Sequence, residues 1–174
     1  MKKIILLVLS AVLGSSVLAG CSGSSGSFEA KSYTSDTQIK EINLDVQDRE
    51  IEVSLSEDDQ VHIHYYESGE EYYDISVSDE NVLTMTSASD KDWTDYVGVK
   101  ASADDRKISL QIPEGFLENL TLSTTNEDIT LSPLAVTGSI NLSSNGGNID
   151  FENLDAGSGL TLDAKNGDIS GTIA

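Results

Sequence analysis

Cysteine is almost missing from this chain: Cys21 is the only one in 174 residues. No disulfide can form within one chain and no cysteine-based metal centre can be built, so the fold must stand on its apolar core. Positive charge is scarce too, with 10 Lys and Arg against 30 Asp and Glu and a formal charge of −20. Such a surface repels phosphate backbones and anionic lipid headgroups, which excludes nucleic-acid binding and purely electrostatic membrane attachment. Arginine is confined to Arg49 and Arg106. The single long apolar run, residues 4–13, is too short to cross a bilayer core of roughly 30 Å as a permanent helix. Beyond it, no segment carries a helical period.

What is there begins at the N-terminus. Met1-Lys2-Lys3, an apolar run and the small residues Gly14, Ser15 and Ser16 follow the order of a secretory signal peptide. Leu18-Ala19-Gly20-Cys21 resembles the bacterial lipobox. That resemblance implies cleavage after residue 20 and a diacylglycerol on Cys21, with palmitate-type chains holding the protein to the extracytoplasmic face of the cell membrane. Losing residues 1–20 removes two lysines and no acid, leaving 8 basic and 30 acidic residues, a formal charge of −22. Ser22-Gly23-Ser24-Ser25-Gly26-Ser27 has the composition of a flexible coil. Residues 21–35 are therefore expected to be a lipidated tether.

The C-terminal third repeats every twenty residues. Leu120, Ile140 and Leu160 form one column, Leu122, Leu142 and Leu162 a second, and Ile129, Ile149 and Ile169 a third. Leu131 and Phe151 add two more core positions. Asp128, Asn148 and Asp168 precede the isoleucines in each copy. Each copy alternates apolar and polar residues on either side of an Asn/Gly/Asp cluster, the signature of two short strands joined at a tight corner. Stacked copies would bury the same-column residues as one continuous core.

A looser form of the cadence precedes it, in Ile42, Leu44, Ile51 and Val53 and again in Val99, Ala101, Ile108 and Leu110. The second set lies 21 residues before the next copy. The fold expected is all-β: one β-solenoid domain over residues 36–174, with coils of about twenty residues and an irregular N-terminal half. The runs Ile108-Ser109-Leu110-Gln111-Ile112-Pro113-Glu114-Gly115 and Leu120-Thr121-Leu122-Ser123-Thr124-Thr125-Asn126, with Asn166-Gly167-Asp168-Ile169, resemble the DUF4097 family of adhesin-like β-strand-repeat proteins. The resemblance implies a cell-surface repeat architecture over about residues 36–174. The first two copies depart from its Asn-Gly-Asp-Ile turn, with Glu127 and with Gly146-Gly147-Asn148-Ile149.

Candidate chemistry is thin. His62 and His64 alternate in a strand and share one face, but two imidazoles lack a third ligand. Tyr65-Tyr66 and Tyr72-Tyr73 flank Glu67, Glu70 and Glu71 and offer rings that could stack on sugars. Asp90, Asp92 and Asp95 around Trp93, with Asp104 and Asp105 further on, resemble a loose oxygen cage for Ca²⁺, without the fixed glycine and bidentate glutamate of a specific loop. No cofactor is expected; calcium is the one candidate ion. The Asp128, Asn148, Asp168 column reads as a corner ladder of side-chain-to-backbone bonds. No serine or cysteine has a histidine partner suited to nucleophilic attack, so no enzyme activity is expected. The expected function is a lipid-anchored, non-catalytic surface protein that binds an extracytoplasmic protein or glycan. The alternative is an accessory lipoprotein reporting envelope stress to a membrane partner.

Overall fold

A computed structural model describes residues 27–89 and 102–174. Cys21, the lipobox residues Leu18, Ala19 and Gly20, and Asp90, Asp92, Trp93, Asp95, Val99 and Ala101 lie outside the described residues. The described chain is all-β. Its strands run β1 (Glu29–Thr34), β2 (Glu41–Asp45), β3 (Glu50–Leu55), β4 (His62–Glu67), β5 (Glu71–Val77), β6 (Val82–Ser89) and β7 (Lys107–Ile112). Then follow β8 (Asn119–Thr124), β9 (Ile129–Leu131), β10 (Leu134–Val136), β11 (Ser139–Ser144), β12 (Ile149–Ala156), β13 (Gly159–Ala164) and β14 (Ile169–Ile173). One 3₁₀ turn, Asp104–Arg106, precedes β7.

Two sheets share these strands. One has the order β13-β11-β8-β2-β6-β5; the other runs β1-β4-β7-β3-β9-β12-β10, with β14 also on β12. In the C-terminal third the pairing is parallel at a register of twenty: Leu120, Ile140 and Leu160 stand opposite one another, as do Ile129, Ile149 and Ile169. Alternation does the rest. In β8 and β11 every second residue is buried, and the inward residues of both sheets form one apolar cluster. Leu120, Leu122, Ile129, Leu131, Ile140, Leu142, Ile149 and Phe151 are buried there. The last coil departs from the expected core: Leu160 and Leu162 are only partly covered, and Ile169 is 44% exposed, because no described strand lies beyond it.

The N-terminal half does not continue this stack in sequence order. β3 lies between β7 and β9, with Ile51 opposite both Ile108 and Ile129. The segment carrying Ile108 and Leu110 therefore does not stack on the regular copies; the segment carrying Ile42 to Val53 takes that place. The Lys40 carbonyl accepts the backbone N–H groups of Glu118 at 2.7 Å and Asn119 at 3.2 Å, and the Asn119 side chain donates to Glu41 at 3.2 Å. These bonds fix β2 beside β8, and β7 is left to pair on the far side of β3.

Antiparallel pairs complete this half: β1 with β4, β4 with β7, and β5 with β6. The sheets are therefore mixed. Residues 29–34, expected in the tether, form strand β1, paired with β4 from Glu29↔Glu67 to Thr34↔His62. The folded part begins sooner after the Ser/Gly run than the composition suggests.

Candidate functional site

The corner between β2 and β3 is built around Arg49, which is 5% exposed. Its Nε donates to the Tyr73 hydroxyl at 2.6 Å, and its Nη2 forms an ion pair with Glu71. Nη1 donates to the carbonyls of Gln47 and Asp48. The guanidinium also lies 5.9 Å from the ring centroids of Phe28 and Tyr73. Burial works against the charge, but Tyr73 and Glu71 outweigh it and push the Arg49 pKa up. Burial likewise pushes the Tyr73 pKa up, opposed by Arg49. Tyr65 meets Tyr73 edge-on, with centroids 5.4 Å apart. Tyr73 is thus a core residue and Tyr65 packs on the core, so neither offers the open face that sugar stacking needs.

The opposite faces of the same strands are polar. Val61 and Ile63 point inward, so His62 and His64 share the outer face of β4, as their spacing requires. The two histidines are used differently. His62 has both ring nitrogens engaged, Nε2 with Asp58 at 2.8 Å and Nδ1 with Thr34 at 3.0 Å. The bond from His62 is the main reason the Asp58 carboxyl titrates lower than usual, helped by the Gln60 backbone and Ser56. His64 instead opens onto a depression of about 350 Å³ shared with Tyr66, Asp104, Lys107 and Ser109.

Three elements set that depression. β4 supplies His64 and Tyr66 two residues apart on one face, and β7 supplies Lys107 and Ser109, with Ser109 opposite His64. Asp104 comes from the 3₁₀ turn, which the ion pair between Arg106 and Glu127 pins to the base of the repeat column. Lys107 is held by Glu52 at 2.5 Å and Glu50 at 4.0 Å, and the bond to Glu52 pushes its pKa up. Among the described residues, no side-chain hydrogen bond engages His64, Tyr66 or Asp104. No group of three His, Cys, Asp or Glu side chains suited to a metal ion occurs among the described residues. Sequence reasoning found His64 and Tyr66 and grouped Asp104 with the carboxylates around Trp93, but it did not find Lys107 and Ser109, because only the 45-residue excursion from β4 back to β7 brings these residues together.

The third column is structural. Asp128 Oδ1 accepts the backbone N–H of Asn148 at 2.6 Å, and Asn148 Oδ1 accepts that of Asp168 at 2.9 Å. The carbonyls of Asp128, Asn148 and Asp168 take the N–H groups of Ile51, Ile129 and Ile149 at 2.9–3.0 Å. This is the corner ladder expected from the repeat. A side chain at Gly147 would place its Cβ 2.1 Å from the Glu127 carbonyl oxygen, and one at Gly167 as close to that of Gly147. Glycine there is set by the tight stacking of successive corners.

The chain belongs to the DUF4097 family, whose model, described as Toastrack DUF4097, matches residues 39–172. No curated protein matches it. Among solved structures it is similar to a protein named as a putative cell adhesion protein from Clostridium sporogenes, with 11% identity, 84% of this chain and 100% of that one covered, and a TM-score of 0.42. It is similar also to a putative adhesin from Parabacteroides distasonis, with 20% identity, 85% and 73% covered, and a TM-score of 0.37. Among the described residues, no helix is long and apolar enough to cross a membrane.

Proposed function

We propose that this chain is a lipid-anchored, non-catalytic module of the cell surface, which holds a solenoid-like β domain outside the membrane and engages an extracytoplasmic partner through its flank. The observation that carries the reading is continuity: a lipobox-like cysteine, six Ser/Gly residues, then at once a strand paired along its whole length. Phe28 against Arg49 secures the start of that strand to a buried corner. Residues 21–28 would reach only about 15 Å as a flexible coil, at 5–6 Å × √n. The outer sheet face is then presented close to the bilayer.

That closeness also favours a second reading, an accessory lipoprotein acting on a membrane-embedded partner. Both are tested by crosslinking in living cells that express the full chain or its Cys21→Ala variant. Capture of a wall polymer, matrix component or other external ligand, lost with Cys21→Ala, supports the surface-binding reading. Capture of an integral membrane or signalling protein, lost in the same way, supports the second. Capture unchanged by Cys21→Ala contradicts both.

A further inference from the structure

We infer that the depression between β4 and β7 is a binding site for a neutral sugar ring, with Tyr66 as the stacking surface and His64, Asp104, Lys107 and Ser109 as its polar contacts. The inference rests on the surface-module reading and names the ligand class of that flank. Its basis is a contrast within one strand. His62, two residues away on the same face, spends both ring nitrogens on Asp58 and Thr34. His64, Tyr66 and Asp104 line one shared hollow, and among the described residues no side-chain hydrogen bond engages them.

The chemistry of the lining narrows the ligand. A carboxylate, an ammonium, an imidazole and a hydroxyl offer both acceptors and donors, which matches neighbouring sugar hydroxyls that each donate and accept. An aromatic ring beside a few convergent polar groups matches a ring with one apolar face and a polar edge. Lys107 is already shared by Glu52 and Glu50, so among the described residues lining the hollow no unpaired ammonium awaits a phosphate or carboxylate. The chain's excess of 30 acids over 10 bases repels polyanions in addition. One histidine and one aspartate are too few ligands for a metal ion. The site is shallow, and at the ligand efficiency of small molecules a single ring binds with a Kd on the order of a few millimolar.

The test uses the full lipidated chain in phosphatidylcholine nanodiscs. Methyl glucoside, galactoside, mannoside and N-acetylglucosaminide are titrated by saturation-transfer NMR, with trigalacturonate as the anionic comparison. At least one neutral pyranoside is expected to bind in the low millimolar range, and trigalacturonate at least tenfold more weakly. Tyr66→Ala and Asp104→Asn, both on the outer face, should each weaken binding at least tenfold with an unchanged urea midpoint. His62→Gln should change it less than twofold. Binding by none of the four pyranosides, tighter binding of trigalacturonate, or indifference to Tyr66→Ala would overturn the assignment. If no pyranoside binds while cells still capture an external partner through Cys21, the depression falls and the surface reading stands. If a pyranoside binds through Tyr66 while cellular capture ignores Cys21, the site stands and the anchored reading falls.

Discussion

Arg49 donates through Nε to the Tyr73 hydroxyl at 2.6 Å, which ties the β2–β3 corner to the start of the β5–β6 hairpin inside the apolar core. The same guanidinium pairs with Glu71, so one buried side chain holds the corner to β5 through two contacts. Thr124 reinforces the joint by donating to the Arg49 carbonyl at 2.8 Å. Truncation leaves Tyr73 and the neighbouring carbonyls without their donor while Glu71 turns to solvent. Arg49→Met should therefore cost about 3 kcal/mol, read as a fall in urea-unfolding free energy with an unchanged m-value. A loss below about 1 kcal/mol would show that the corner is wetter than its burial implies.

Stacking distance makes two glycines behave oppositely. At Gly147 an added methyl meets the Glu127 carbonyl oxygen at 2.1 Å, whereas at Gly159 nothing lies within 4 Å. Gly147→Ala should lose about 1–3 kcal/mol, since the Cβ meets the Glu127–Asp128 backbone and not a side chain that could swing aside. Gly159→Ala should stay within about 0.5 kcal/mol of wild type. Paired thermal melts of the two variants decide it.

The corner ladder is expected to weaken by rungs. Asn148→Ala removes the acceptor for the Asp168 N–H and should cost about 1 kcal/mol. Asp168→Ala touches the outermost rung, whose carboxylate takes no N–H among the described residues, and should cost less than about 0.5 kcal/mol. Hydrogen exchange at the Asp168 amide should speed up in the first variant.

Alkaline pH should unfold the domain before neutral pH does. Tyr73 and Tyr65 titrate above their ordinary 10.0 chiefly because of burial. Lys107 and Lys31 titrate above 10.5 chiefly because of hydrogen bonds to Glu52 and Glu29. Each holds its proton more tightly folded than unfolded. The stability this supplies is fully present below the unfolded values and is lost as pH rises through the folded ones. Urea midpoints should fall as pH rises past about 10, and Tyr73→Phe should flatten the fall while lowering stability at pH 7.

The regular coils were legible because a column of Leu120, Ile140 and Leu160 repeats without insertion, and parallel strands in exact register turn sequence spacing directly into contact. Ile169, expected in the core from its column, is 44% exposed, since among the described residues only β12 pairs with its strand. The order of the earlier segments was not legible. Ile51 and Ile108 carry the same alternation, so hydropathy alone does not distinguish which of them pairs with Ile129. The strand over Glu29–Thr34 was hidden by its mostly exposed residues, since an edge strand held by pairing needs no apolar face. Of the outer depression, His64 and Tyr66 were visible in their alternation, while Asp104 and Lys107 joined them only through the fold.

Anchoring at Cys21 is the central claim, and the mass of the mature N-terminal peptide tests it most directly. Membrane fractions from cells expressing the full chain should yield a peptide that starts at Cys21 and carries the mass of a diacylglycerol, absent from Cys21→Ala. A mature chain that starts elsewhere, or at Cys21 without lipid, would contradict the account.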